Sequence, residues 1–240
     1  WYEYRKYLTP FDRGTALDPA TLKPLAIPRT ERLDEPFNNM DGESHLGQFS
    51  RDHQMGGGWA VHVNLSYNSE TYDAGQLRVN GVNTKTGTLV RSNDATHGAL
   101  STDTYGTVYA DGSVDLFGMR HDLQFGVDGE YRKIYRKDLL RQTPKYTFSY
   151  LNPVYGLEAP SSTVSPSDSD QTDKLHNYSF FAQDTIHLSD RWIAVVGGRV
   201  LHWTQLAGRG RPFKTNTDTD GTVFLPRAGL VFKWTNVLSL

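Results

Sequence analysis

The sequence predicts an all-β chain, an antiparallel transmembrane β-barrel of the outer-membrane type. Three observations carry this. Along His121–Arg132, Leu123, Phe125, Val127 and Tyr131 fall on one face of an extended strand, and Asp122, Gln124, Asp128, Glu130 and Arg132 on the other. The connections between such segments alternate between very short and very long. The mean hydropathy of -0.56, with 37% hydrophobic residues, excludes a bundle of membrane helices, and no apolar run approaches the about 20 residues that a spanning helix needs. It does not exclude membrane strands, which need only about 9–11 residues with half of them facing a polar interior.

Bulk properties narrow the function classes. A formal charge of -2 and scattered Lys and Arg give no case for a nucleic-acid partner. Cysteine is absent, which removes disulfides, thiolate catalysis and Cys-based zinc sites. Residues 1–240 read as one barrel domain of about nine strands, counting partial ones at both ends.

The elements follow in order. Trp1–Leu8 alternates loosely, as the end of a strand does, and Pro10–Asn39 is a loop rich in Pro, Asp and Thr. Glu43–His53 is weakly extended and turns at Gly56–Gly58. In Ala60–Tyr72, Val61, Val63, Leu65 and Tyr67 oppose His62, Asn64, Ser66 and Asn68. Asp73–Thr102 is expected to be loop, with a small hairpin that Gly81-Val82-Asn83 and Lys85-Thr86-Gly87 could turn. Asp103–Leu116 is extended, with Tyr105 and Tyr109 on one side, and Phe117–Arg120 leads into the sharpest strand. Lys137–Leu175, carrying Pro144, Pro153, Pro160 and Pro166, is the longest expected loop. Tyr178–Leu188, a turn at Ser189–Arg191 and Trp192–Trp203 form the next pair. Gln205–Asp220 is a further loop; Thr222–Trp234 is a strand, and Thr235–Asn236 turns into Val237–Leu240.

In an antiparallel meander alternate turns share an end, so the long loops would lie on one rim and the short turns on the other. This is the asymmetry of outer-membrane barrels, with short periplasmic turns and long extracellular loops. Trp192, Trp203 and Trp234 near strand ends suit an interfacial girdle.

Tyr178-Ser-Phe-Phe-Ala-Gln-Asp-Thr-Ile-His-Leu-Ser-Asp-Arg-Trp192, continuing to Val196-Gly-Gly-Arg199, resembles the barrel signature of TonB-dependent siderophore receptors. Leu225-Pro-Arg-Ala-Gly-Leu-Val-Phe232 is similar to the strand that follows it there, Asn152-Pro-Val-Tyr-Gly156 to an extracellular-loop phrase, and His121–Tyr131 to another barrel strand. The resemblance is strong from about Asp103 onward. It implies part of a 22-stranded barrel occluded by a plug domain, an Fe(III)-siderophore as ligand with no covalently bound cofactor, energy from TonB through the plug, and outer-membrane lipid around the wall. A sheet cut mid-barrel would leave its edges unpaired, which lipid does not tolerate.

No catalytic constellation is present: no Gly-x-Ser-x-Gly elbow, no zinc helix, no P-loop. His62 and His187 suit lumen-facing polar positions, and His121 a strand end near the short-turn rim. Arg132, Arg199, Arg227 and Lys233 alternate away from apolar neighbours. Since charge on the lipid face costs about 2–4 kcal/mol at mid-membrane, they are expected to face the lumen or plug, paired with acids such as Asp128, Glu130 or Asp184. Asp184 falls on the apolar side by strict alternation, which a bulge or a place near the rim would resolve. An iron already saturated by siderophore oxygens needs no protein ligands, only flat aromatic walls and polar donors. Tyr146, Phe148, Tyr150 and Tyr155 form the densest loop aromatic cluster, with Arg141 and Lys145 beside it. Tyr72, Arg91, His97 and Trp203 are further candidates. The same aromatics could instead pack the loops together. Alternative functions are an interaction module for phage, bacteriocin or another protein, a passive porin, and a soluble β-sandwich binding domain.

Overall fold

The computed structural model describes residues 1–11, 14–28, 30–142 and 146–234. They form one antiparallel sheet of nine strands: β1 (Tyr2–Pro10), β2 (Asn39–Gly56), β3 (Trp59–Asn83), β4 (Thr88–Leu116), β5 (Met119–Arg141), β6 (Tyr146–Ser149), β7 (Gln171–His187), β8 (Trp192–Arg209) and β9 (Lys214–Phe232). The order is β1-β2-β3-β4-β5-β7-β8-β9, and the short β6 pairs with the far end of β4. Among the described residues the sheet is open, with β1 and β9 as its edges. The expected strand at Val237–Leu240, its turn at Thr235–Asn236, Pro144 and Lys145 lie outside the described residues.

Register fixes two faces. Val63, Val108, Val127, Phe180, Val200 and Phe224 are successive partners across six strands. Val127, Phe180 and Phe224 are 53%, 53% and 61% exposed, so none of the described residues packs over this apolar row. One residue along, Asn64, Thr107, Asp128, Ser179, Leu201 and Val223 form the opposite-face row. An apolar face left open beside a polar one matches a wall between lipid and a wet interior. On β9 the outward apolar residues run from Phe224 to Phe232, about 30 Å of strand at ~3.3 Å per residue, the length that a tilted spanning strand supplies. Trp192, Phe232 and Trp234 pack together at the short-turn rim, the first pair tilted and the second edge-on, with ring centroids 4.7 and 6.0 Å apart. β2 departs from the pattern: Arg51 and His53 face outward toward the turn rim, where a long side chain can reach water with its head.

Two expected loops are largely strand, and the third, 137–175, is shortened by strand at both ends. β3 and β4 run on to a four-residue turn, 84–87, and β8 and β9 to one at 210–213. β5 continues to Arg141, and β7 begins at Gln171. At 29 residues, β4 extends on the order of 95 Å, far beyond what a bilayer requires. The sequence reading missed these arms because alternation is enforced only where one face meets lipid. Above that level both faces meet water or other arms, and Gly-, Thr- and Asn-rich chain pairs through its backbone alone. Extending β8 also corrects the placing of Trp203, which lies within the strand on the lumen face rather than in an interfacial girdle.

Asp184 needs no bulge. The β5–β7 and β7–β8 registers are continuous, and Asp184 sits outward near the end of β7, bonded through Oδ2 to His121 Nδ1 at 2.7 Å.

Candidate functional site

The lumen face carries the first group of candidate residues. Arg199 on β8 reaches Asp128 on β5 at 3.0 Å, and Asp128 also accepts from the Ser179 hydroxyl at 2.7 Å. The expected acid–base pairing across the wall is therefore present for Asp128. Glu130 instead accepts from Asn177 Nδ2 at 2.8 Å. Arg132 is exposed and opposite Asp103 in register. Arg227 is exposed on the same face, opposite Gly197. Lys233 lies one residue beyond β9, at the turn rim, where its backbone N–H donates to the Arg191 carbonyl.

Between these charges runs an aromatic row that single-strand periodicity does not reveal. The ring of His62 stacks on Tyr109 at 4.6 Å, with its nitrogens against Asp52 at 2.6 Å and Asp111 at 2.5 Å. Tyr109 leans toward Phe181 at 6.4 Å, and the Arg199 guanidinium lies 5.4 Å from the Phe181 ring. Tyr109 lies across Gly126, where an added Cβ would stand 2.4 Å from the Tyr109 Cβ. A cavity of about 730 Å³ opens along this wall, lined by Tyr105, Tyr109, Phe181, Arg199 and Arg227 among others. Aromatic faces beside guanidinium donors suit a bulky, flat, electron-rich or anionic surface.

The second group belongs to the arms. Phe148 and Tyr150 are buried with Leu25 and Leu89, and Tyr155 packs against them. Arg91 is 1% exposed: it reaches Glu35 at 2.7 Å, pairs with Glu158, donates to the Leu33 carbonyl at 3.1 Å and lies 3.7 Å over the Phe148 ring. Gly156 N–H and the Tyr155 hydroxyl add bonds to Glu35 and the Arg32 carbonyl. These side chains thus meet as the core that ties the 14–38 segment and the 146–159 segment to the β3–β4 tip. A ligand can touch only accessible atoms, so Arg91, Phe148 and Tyr150 act in this conformation as support.

The remaining candidates are reachable but dispersed. Arg141 is partly exposed, with its guanidinium 3.6 Å from Asp168 and 3.7 Å from Asp94. Tyr146 accepts from Gln142 Nε2 at 2.6 Å. His97 is exposed at the β3–β4 irregularity, beside Gly98, whose N–H bonds Asp73. Tyr72 and Trp203 are partly exposed on the lumen face, Tyr72 next to Gly42 and Tyr7, and Trp203 across Gly221. Tyr7 joins this wall unforeseen; burial and its bond to Glu70 push its hydroxyl pKa up.

The β8–β9 tip is latched to the neighbouring arm by Arg211, which holds Asp170 and Asp138, each at 2.7 Å. The Tyr135 hydroxyl donates to Asp170 at 2.9 Å. Arg211 foremost, against some desolvation, and then Tyr135 hold the Asp170 carboxyl below its ordinary value of 3.8. A depressed acid contributes stability above its unfolded pKa and loses it as pH falls through the folded one. The tip is therefore expected to stay docked from pH 7 to 5 and loosen below about pH 4, seen as faster hydrogen exchange in 205–216. Arg211→Gln should loosen it at neutral pH, and a variant that exchanges no faster than wild type there would contradict the latch.

The whole of residues 1–240 matches the family described as TonB dependent receptor-like, beta-barrel. The chain belongs to that family. Solved receptors share its fold. The siderophore receptor PiuA of Acinetobacter baumannii is 15% identical with a TM-score of 0.73, over 98% of this chain and 37% of that one. FpvA of P. aeruginosa, solved with an iron-loaded pyoverdine, is 15% identical with a TM-score of 0.75, over 90% and 28%. The ferric-catecholate import receptor Fiu of E. coli K12, in its closed form, is 11% identical with a TM-score of 0.65, over 84% and 32%. The chain thus spans about a third of the length of these receptors. The family is one of receptors and transporters rather than catalysts.

Proposed function

We propose that this chain is part of the wall of an outer-membrane receptor that takes up ferric siderophores, with energy delivered by TonB through a plug domain. The observation that carries the reading is a lumen wall in which Tyr105, Tyr109, Phe181, Arg199 and Arg227 line one cavity behind a lipid-facing band, in a chain matched end to end by the TonB-dependent receptor family. Similar receptors are described as binding ferric catecholates, pyoverdine–iron and other siderophores. The chelate would be captured among the accessible arm and lumen residues Tyr72, His97, Arg141, Tyr146 and Trp203, with Tyr155 as part of the packed support behind them, then pass the aromatic–guanidinium wall. The protein supplies stacking and hydrogen bonds; the iron keeps its own oxygen ligands throughout.

The test is uptake of radioactive iron by cells carrying the full-length receptor, offered catecholate, hydroxamate and mixed chelates in turn. One class should be taken up, and loss of TonB should abolish it. Tyr109→Ala together with Arg227→Ala should cut uptake about tenfold at unchanged receptor level in the membrane. Uptake that persists without TonB would identify a passive pore, and uptake of none of the chelates would remove the siderophore reading.

A further inference from the structure

The outward face holds a trough of about 570 Å³. Gly106 and Gly129, direct partners on β4 and β5, form its floor, and Phe49, Leu65, Tyr131 and Tyr178 form its walls. A Cβ on Gly106 would meet Leu65 at 3.0 Å and one on Gly129 would meet Tyr178 at 3.4 Å, so the groove exists because both positions lack side chains.

At the arm side of the trough, Lys133 on β5 is the outward residue after Tyr131. It stands directly opposite Lys174 on β7. Like charges placed directly across a strand pair destabilise a sheet. The flanking outward residues, Thr102, Leu206, Tyr131, Tyr135, Thr172 and His176, include no carboxylate. Among the described residues neither lysine makes an ion pair; Lys133 lies 5.4 Å over the Tyr135 ring. An anion between the two ammonium groups would convert this repulsion into charge-assisted hydrogen bonding.

The position selects the anion. The lysines lie where the apolar band gives way to the arms, the level at which outer-leaflet headgroups meet the wall. We propose that the trough is a specific site for a phosphorylated outer-leaflet lipid: one acyl chain lies along Gly106 and Gly129, and a phosphate sits between Lys133 and Lys174. This rests on the outer-membrane reading of the barrel. Lipid contact elsewhere on the wall needs only an apolar surface; this site adds a shaped groove and a paired cation at one end of it.

The test uses the full-length receptor, extracted from its native membrane, stripped of lipid in mild detergent and titrated with bisphosphorylated lipid A or its dephosphorylated form. Wild type should hold the phosphorylated form about tenfold or more tightly than the other. Lys133→Gln with Lys174→Gln should abolish that preference while leaving the lipid-free receptor at least as heat-stable as wild type, because a repulsion has been removed. Gly129→Leu, which fills the trough, should weaken both forms. Retained phosphate preference in the double lysine variant, or a wild type that binds both forms equally or neither, would overturn the proposal. A protein that leaves the membrane without detergent, or lacks the heat-modifiable gel migration of a folded barrel, would overturn the barrel reading instead.

Discussion

Arg91→Ala is expected to unlock the β3–β4 arm at a local cost of about 3–5 kcal/mol, the range for breaking a buried ion pair by removing one partner. Arg91 and Glu35 are 1% and 0% exposed, and Glu158 is nearly as enclosed. Removing the guanidinium leaves two carboxylates facing one another without water, and it strips the Phe148 ring of the cation stacked on it. The arm should then exchange amide hydrogens far faster across 79–92 and 146–159 in the detergent-solubilised full-length receptor. The membrane part should be unaffected, because the core of Leu25, Leu89, Phe148 and Tyr150 makes no part of the lipid-facing band. A charge-free combination, Arg91→Met with Glu35→Gln and Glu158→Gln, should recover most of the loss, since much of the single-variant penalty is the desolvation of unpaired charge. Unchanged exchange in Arg91→Ala would show that the arm is held by apolar packing alone.

The second large effect tests the orientation of the wall. Val127→Arg places a charge on the outward face in the middle of the apolar row and should cost about 2–4 kcal/mol of folding stability in bilayers. Gln124→Arg, three residues away on the same strand but facing the lumen opposite Asp111, should change stability by less than about 0.5 kcal/mol. Equilibrium unfolding of the receptor in lipid vesicles, with membrane insertion yield as a second readout, would measure both. Equal costs at the two positions, or the reverse order, would contradict the assignment of faces.

These two predictions concern parts of the chain that differ in how legible they are in sequence. Val127 and Gln124 can be assigned from the segment that contains them, because a strand between lipid and a wet lumen must alternate. The pairing of Arg199 with Asp128 was legible for the same reason: charges excluded from lipid must share the other face. The row of His62, Tyr109 and Phe181 was not, since each ring looks ordinary on its own strand and only register places them side by side. The aromatic cluster at Tyr146–Tyr155 carried the opposite ambiguity. Dense aromatics and a nearby arginine have the same local sequence whether they form a binding wall or a packed support, and Phe148 and Tyr150 turned out to be buried.

What the sequence determined by itself was the membrane-level wall: strand direction, the lipid and lumen faces, the two rims and the short turns, all of which follow from period-two patterning and from the cost of polar groups in lipid. What only the tertiary structure decided was the arm and the cross-strand sites. Backbone ladder bonds do not depend on side-chain type, so the extensions of β3, β4, β8 and β9 left no alternating signature. The contacts that hold the arm join residues far apart in the chain, Arg91 to Glu35 across 56 positions and to Glu158 across 67. Neither glutamate has a neighbour in sequence that announces its partner. Lys133 and Lys174 are the same case on the outer face: unremarkable in their own strands, and informative only once register sets them opposite each other beside a groove.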